Sequence, residues 1–122
     1  MRAQMSVKRF VECHKFIWQY IANELEKGTS HSVSHLKAIA VEKLLKNDMI
    51  DSLECGIVSL NNNCFLCSHF KRCSDCPLGG CNCRGSLYAE AIIYRKIEAA
   101  EKIRDIVDYL LERKEDSIFI YA

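Results

Sequence analysis

Residues 64–83 constrain this chain more than any other stretch. Six of its eight cysteines, Cys64, Cys67, Cys73, Cys76, Cys81 and Cys83, fall within those twenty positions. They form two C-x2-C pairs five residues apart, followed by a C-x-C. The segment has neither helical nor strand periodicity, it holds Gly79-Gly80, and Pro77 is the only proline of the chain. A stretch of that length without regular structure is improbable inside a compact domain unless something organises it. Clustered thiols indicate what that is. Disulfides would be spread along the chain to close long loops, where they stabilise most. Crowded cysteines suit a metal better.

Zinc takes four ligands in a tetrahedron, with thiolate sulfurs at about 2.3 Å. A C-x2-C turn supplies one edge of the tetrahedron and a second pair supplies the opposite edge. Cys64, Cys67, Cys73 and Cys76 meet this requirement, although the gap between the pairs is short. Cys81 and Cys83 can replace one or two of them, or all six can hold two zinc ions through bridging sulfurs. Charge does not choose between these arrangements. Lys71, Arg72 and Arg84 against Asp75 give the segment +2. Four thiolates with one zinc, or six with two, each contribute about −2. An iron–sulfur cluster has the same ligand type, but the spacing is not that of a ferredoxin. His69 lies two residues after Cys67 and reads as exposed or adjacent to the ligands, because six cysteines already suffice.

The rest of the chain reads as helices around this loop. Val7, Phe10, Val11, His14, Ile17, Ile21 and Leu25 recur at spacings of three and four, predicting a first helix over residues 6–27 capped by Ser6 and ended by Gly28. Phe16, Trp18 and Tyr20 fall outside that stripe and are expected to contact neighbours within the fold. A second helix is expected over 33–46, with Val33, Leu36, Ala40, Val41, Leu44 and Leu45 inward. Asn47-Asp48 marks a break, after which Met49, Ile50 and Leu53 suggest a further apolar helical turn, so the first helical part extends over 6–55. A last helix is expected over 86–114, capped by Ser86, with Ile93, Ile97, Ala100, Ile103, Val107, Leu110 and Leu111 on its core face. Residues 57–60 and 118–121 are the only strand candidates and allow a minimal two-stranded ribbon. The expectation is a mainly α protein, a small bundle of three to four helices in one domain over 1–122, with a metal-binding loop at 61–85.

Composition narrows the function classes. At 49% hydrophobic and 27% charged residues, the chain has a globular rather than a disordered balance. A net charge of +1 gives no global field toward DNA or a membrane. Apolar runs reach only about four residues, far below the ~20 of a membrane span. No apolar signal region opens the chain, so a cytosolic location is expected. His31 and His35 sit four apart, but His31 precedes the second helix, so both read as solvated. Cys13, His14 and Cys55 read as packing residues.

Cys64-Phe-Leu-Cys67 followed by Cys73-Ser-Asp-Cys76-Pro77-Leu78, with Asn61-Asn62-Asn63 ahead of it, resembles a class of small phage and prophage proteins. These carry a C-x-L-C then C-x-x-C-P-L knuckle between helical flanks. The resemblance covers about twenty-five residues and implies origin and metal binding more than an activity. Cys81-Asn-Cys83 is extra to the pattern and leaves the ligand set open.

Three functions compete. The first is a non-enzymatic module whose metal-fixed loop binds another protein; a phage setting makes a host protein, in the host cytoplasm, the natural partner. The second is a nucleic-acid binder using Lys71, Arg72 and Arg84 with Phe65 and Phe70. Catalysis ranks third, because the island has only Asp75 as a carboxylate and no H-E-x-x-H motif. Broad apolar helices also allow a homodimer.

Overall fold

The computed structural model describes residues 2–51, 87–112 and 117–121. It is a small helical bundle joined to a two-stranded ribbon. In chain order the described elements are β1 (Arg2–Ser6), α1 (Val7–Glu26), α2 (Val33–Lys46), α3 (Leu87–Ile92), α4 (Ile97–Ile106), a 3₁₀ segment (Val107–Glu112) and β2 (Ser117–Tyr121).

The middle of the bundle is α1. Ser6 starts it, its side chain accepting from the Arg9 N–H at 3.3 Å, and Gly28 ends it at φ 80°. The Gly28 N–H donates to the Leu25 carbonyl and the Thr29 N–H to the Glu24 carbonyl, a paired C-terminal closure that needs a left-handed residue at that position. Every residue of the expected stripe, Val7 through Leu25, is buried. So are Cys13, Trp18 and Ala22 on an adjoining face, because α1 packs against α2 and α4 as well as the 3₁₀ segment. Trp18 is 2% exposed, and Phe16 and Tyr20 are half-buried against the same core. All three aromatics are therefore used within the fold.

Ser32 caps α2 by accepting from the His35 N–H at 3.1 Å. Val33, Leu36, Ala40, Val41 and Leu44 face the core, but Leu45 is exposed. The helix closes as α1 does. Asp48 takes φ 56°, its N–H donates to Leu45 and that of Met49 to Leu44. This closure ends the helix at Lys46, so Met49 and Ile50 do not continue it as an apolar helical turn: Met49 is exposed, while Ile50 returns to the core.

The expected single helix over 86–114 is broken. It stops at Ile92, turns a corner, restarts at Ile97 and tightens to 3₁₀ from Val107. Arg95 holds the corner at φ 54°. That conformation costs a non-glycine residue roughly 1–2 kcal/mol. The Arg95 guanidinium offsets it by donating to the carbonyls of Thr29 at 2.6 Å and His31 at 2.8 Å. The corner resets the helical phase. Ala99, Ala100, Ile103 and Val107 stay inward, whereas Ile93, 63% exposed, and Leu111, 54% exposed, leave the core face that an unbroken helix would give them.

The C-terminal strand forms as expected, but its partner is the N-terminus. β1 and β2 are antiparallel, from Arg2 opposite Tyr121 to Ser6 opposite Ser117. A lone two-stranded ribbon is marginal in water; here it continues directly into α1, which both strands touch. Residues 57–60 and Ser86 lie outside the described residues.

The corner gives a direct comparison. Ile103→Ala, at a site 1% exposed, should lower unfolding free energy by about 2–5 kcal/mol, whereas Ile93→Ala should change it by less than about 0.5 kcal/mol. Urea unfolding followed by the emission of Trp18, the single tryptophan, measures both. Equal losses would mean that the corner does not exist.

Candidate functional site

The candidate ligands Cys64, Cys67, Cys73, Cys76, Cys81 and Cys83 lie outside the described residues, as do His69 and Cys55. The structure does describe what flanks them. On the N-terminal side Ile50 is buried in the core and Arg9 Nη2 donates to the Met49 carbonyl, fixing the chain end against α1. A cleft of about 410 Å³, lined by Arg9, Asp48, Ile50 and Asp51, opens there. On the C-terminal side Ala89 and Ala91 of α3 are buried, and α3 packs on both α4 and α2. The cysteine-bearing segment is thus entered and left through one packed helical frame. Among the described residues, no three His, Cys, Asp or Glu side chains are grouped to hold a metal, and no helix is long and apolar enough to cross a membrane.

The described ionisable groups are mostly occupied with one another. Lys15 Nζ lies 2.8 Å from Asp108 and 3.9 Å from Asp105. Arg104 bonds Asp105 through both Nε and Nη2 at 2.8 Å, and donates from Nη1 to Gln19 at 2.6 Å. The bond to Asp105 raises the Arg104 pKa, and the bond to Arg104 lowers that of Asp105. Lys15, Arg104 and Asp105, with Glu12, line a groove of about 730 Å³ beside Phe16 and Tyr20. Its cations are matched by its own carboxylates, so it offers a ligand little net charge.

His14 is the deepest titratable group and, with Cys13, is a packing residue as its position in the α1 stripe predicts. Its Nε2 lies 2.7 Å from the Ile103 carbonyl. A carbonyl only accepts, so Nε2 carries the proton. Ile103 lies in the last turn of α4, and the imidazole donates to its carbonyl from α1. Phe10 and Trp18 flank the ring at centroid distances of 6.3 and 6.4 Å. Burial pushes the His14 pKa down from 6.5 to about 4, helped by Lys37 and Lys15 and opposed by the Ile103 bond and Asp108. Sequence periodicity indicated the burial of His14 but not this cross-chain bond, since Ile103 is 89 positions away.

His31 and His35 are both exposed, with ring centroids 4.6 Å apart. His31 precedes α2, as expected, yet the two rings meet. Comparison with protein-family models, curated proteins and solved structures finds no match for this chain.

The His14 shift sets an acid dependence. Between pH 6.5 and about 4 the unfolded chain binds a proton that the folded chain does not, so stability is full above pH 6.5 and falls as pH drops toward 4. The loss attributable to this group is about 3 kcal/mol. Urea midpoints at pH 7 and pH 4.5 should therefore separate less in His14→Phe than in wild type. Identical pH slopes in the two proteins would remove His14 as the cause.

Proposed function

We propose that this chain is a non-enzymatic, zinc-binding interaction protein of phage origin that acts in the host cytoplasm by binding a host protein, such as a component of a defence or regulatory complex. The observation carrying this reading is the run of six cysteines in residues 64–83. A thiolate-bound zinc, as one ion or two, gives the loop a single conformation, and the helical frame holds both of its ends. Cys64, Cys67, Cys73, Cys76, Cys81 and Cys83 are the ligands, and no residue has a catalytic role.

Surface chemistry favours a protein over a nucleic acid as the partner. Lys15, Lys46, Lys96 and Arg104 on the described surface each pair with a carboxylate, which reduces the field available to phosphates. Exposed apolar groups are present at Ile93, Tyr94 and Leu111. Trp18 has no part in that surface, because it is buried. The second reading is a small zinc-dependent nucleic-acid-binding regulator. Lys71, Arg72 and Arg84 favour it, with Phe65 and Phe70 available for base stacking.

Elemental analysis of protein purified without added metal should find one or two zinc ions per chain. Cys64→Ser and Cys67→Ser should each lower that content and abolish co-purification of a host protein. Zinc-free native protein would overturn the metal reading. A zinc-dependent gel shift that weakens steeply with salt, without a protein partner, would replace the first function with the second.

A further inference from the structure

We propose that His31 and His35 form a second metal site, separate from the cysteines, which chelates a late first-row divalent ion of the nickel or copper kind through two imidazoles on the exposed start of α2.

The spacing of the rings carries the argument. In a bis-imidazole chelate the ion lies about 2.1 Å from each nitrogen and so about 3.2 Å from each ring centroid. The centroids are then about 4.5 Å apart for a nitrogen–metal–nitrogen angle of about 90°, and about 5.2 Å apart for a tetrahedral one. The observed separation is 4.6 Å. That spacing lets both rings reach one ion, and imidazole is a suitable ligand for nickel and copper. Water completes the coordination, since the described residues add no third ligand.

The backbone carrying the rings is held on three sides. The Thr29 hydroxyl accepts from the His31 N–H at 3.3 Å. Ser32 accepts from the His35 N–H at 3.1 Å. Arg95 donates to the carbonyls of Thr29 and His31 from the α3–α4 corner. A loop residue four positions before a helical one is thereby kept beside it, so the second imidazole binds the ion intramolecularly and raises affinity over either ring alone. The nearby Arg95 charge and the positive end of α2 oppose a cation, which makes the site a modest one, dependent on both rings.

The test uses the full chain, first saturated with zinc to occupy the cysteines, then titrated with nickel(II) at pH 7.5 while backbone amide resonances are observed. Paramagnetic broadening should begin at residues 29–36, and saturate at sub-millimolar nickel. His31→Gln and His35→Gln should each weaken binding at that site by at least about tenfold, without changing the zinc content. Rings that bind nickel singly would leave the affinity at residues 29–36 within about twofold when either histidine alone is replaced, and that result overturns the proposal. Broadening there that survives both histidine substitutions overturns it equally. Neither outcome depends on whether the cysteine island binds a partner.

Discussion

Everything described in this molecule depends on burying α1 on more than one face. Large side chains project from it, Phe10, Ile17, Trp18 and Ile21 among them, and all are in the core. α4 packs on α1, and Ala99, Ala100 and Ile103 of α4 share its core, the two alanines leaving room for the large side chains of α1. At roughly 1.5–3 kcal/mol for each large apolar side chain removed from water, this contact outweighs any single polar interaction in the fold. His14 sits inside the same contact and joins α1 to α4 through the Ile103 carbonyl. One seam therefore supplies apolar burial, bonds a last-turn carbonyl and introduces acid sensitivity.

That seam also holds the residues that flank the cysteine-bearing segment. Ile50 before it and Ala91 after it are built into a common core. The polar surface of α1, α4 and the 3₁₀ segment forms a self-neutralised network, Lys15 and Arg104 with Asp105 and Asp108.

The α3–α4 corner shows how one long-range interaction redirects a helix. No glycine or proline interrupts Ile93-Tyr94-Arg95-Lys96, and local propensity favours continuing through it. Arg95 leaves the helical region because its guanidinium finds two carbonyls in the α1–α2 link, 64 and 66 positions away. The same bonds steady the loop on which His31 stands. A bend in one part of the chain thus positions a side chain in another.

Much of the local structure was legible from residue order. Ser6 and Gly28 bound α1, and periodicity marks the core stripe of α1 and most of that of α2, because caps and amphipathic spacing depend on near neighbours. The cysteine island is legible as a cluster of candidate ligands for the same reason, and it lies outside the described residues. What residue order could not supply were the outcomes set by distant partners. β2 was recognisable from its β-branched and aromatic run, yet its pairing with Arg2–Ser6 required chain ends far apart in sequence to meet. Leu45, Ile93 and Leu111 fit a helical stripe and are nonetheless exposed, because helix ends and the Arg95 corner reset which way they face. The meeting of His31 with His35, and of His14 with Ile103, likewise followed only from packing. Local periodicity determined which segments become helices; tertiary hydrogen bonds and burial decided where those helices stop and what they touch.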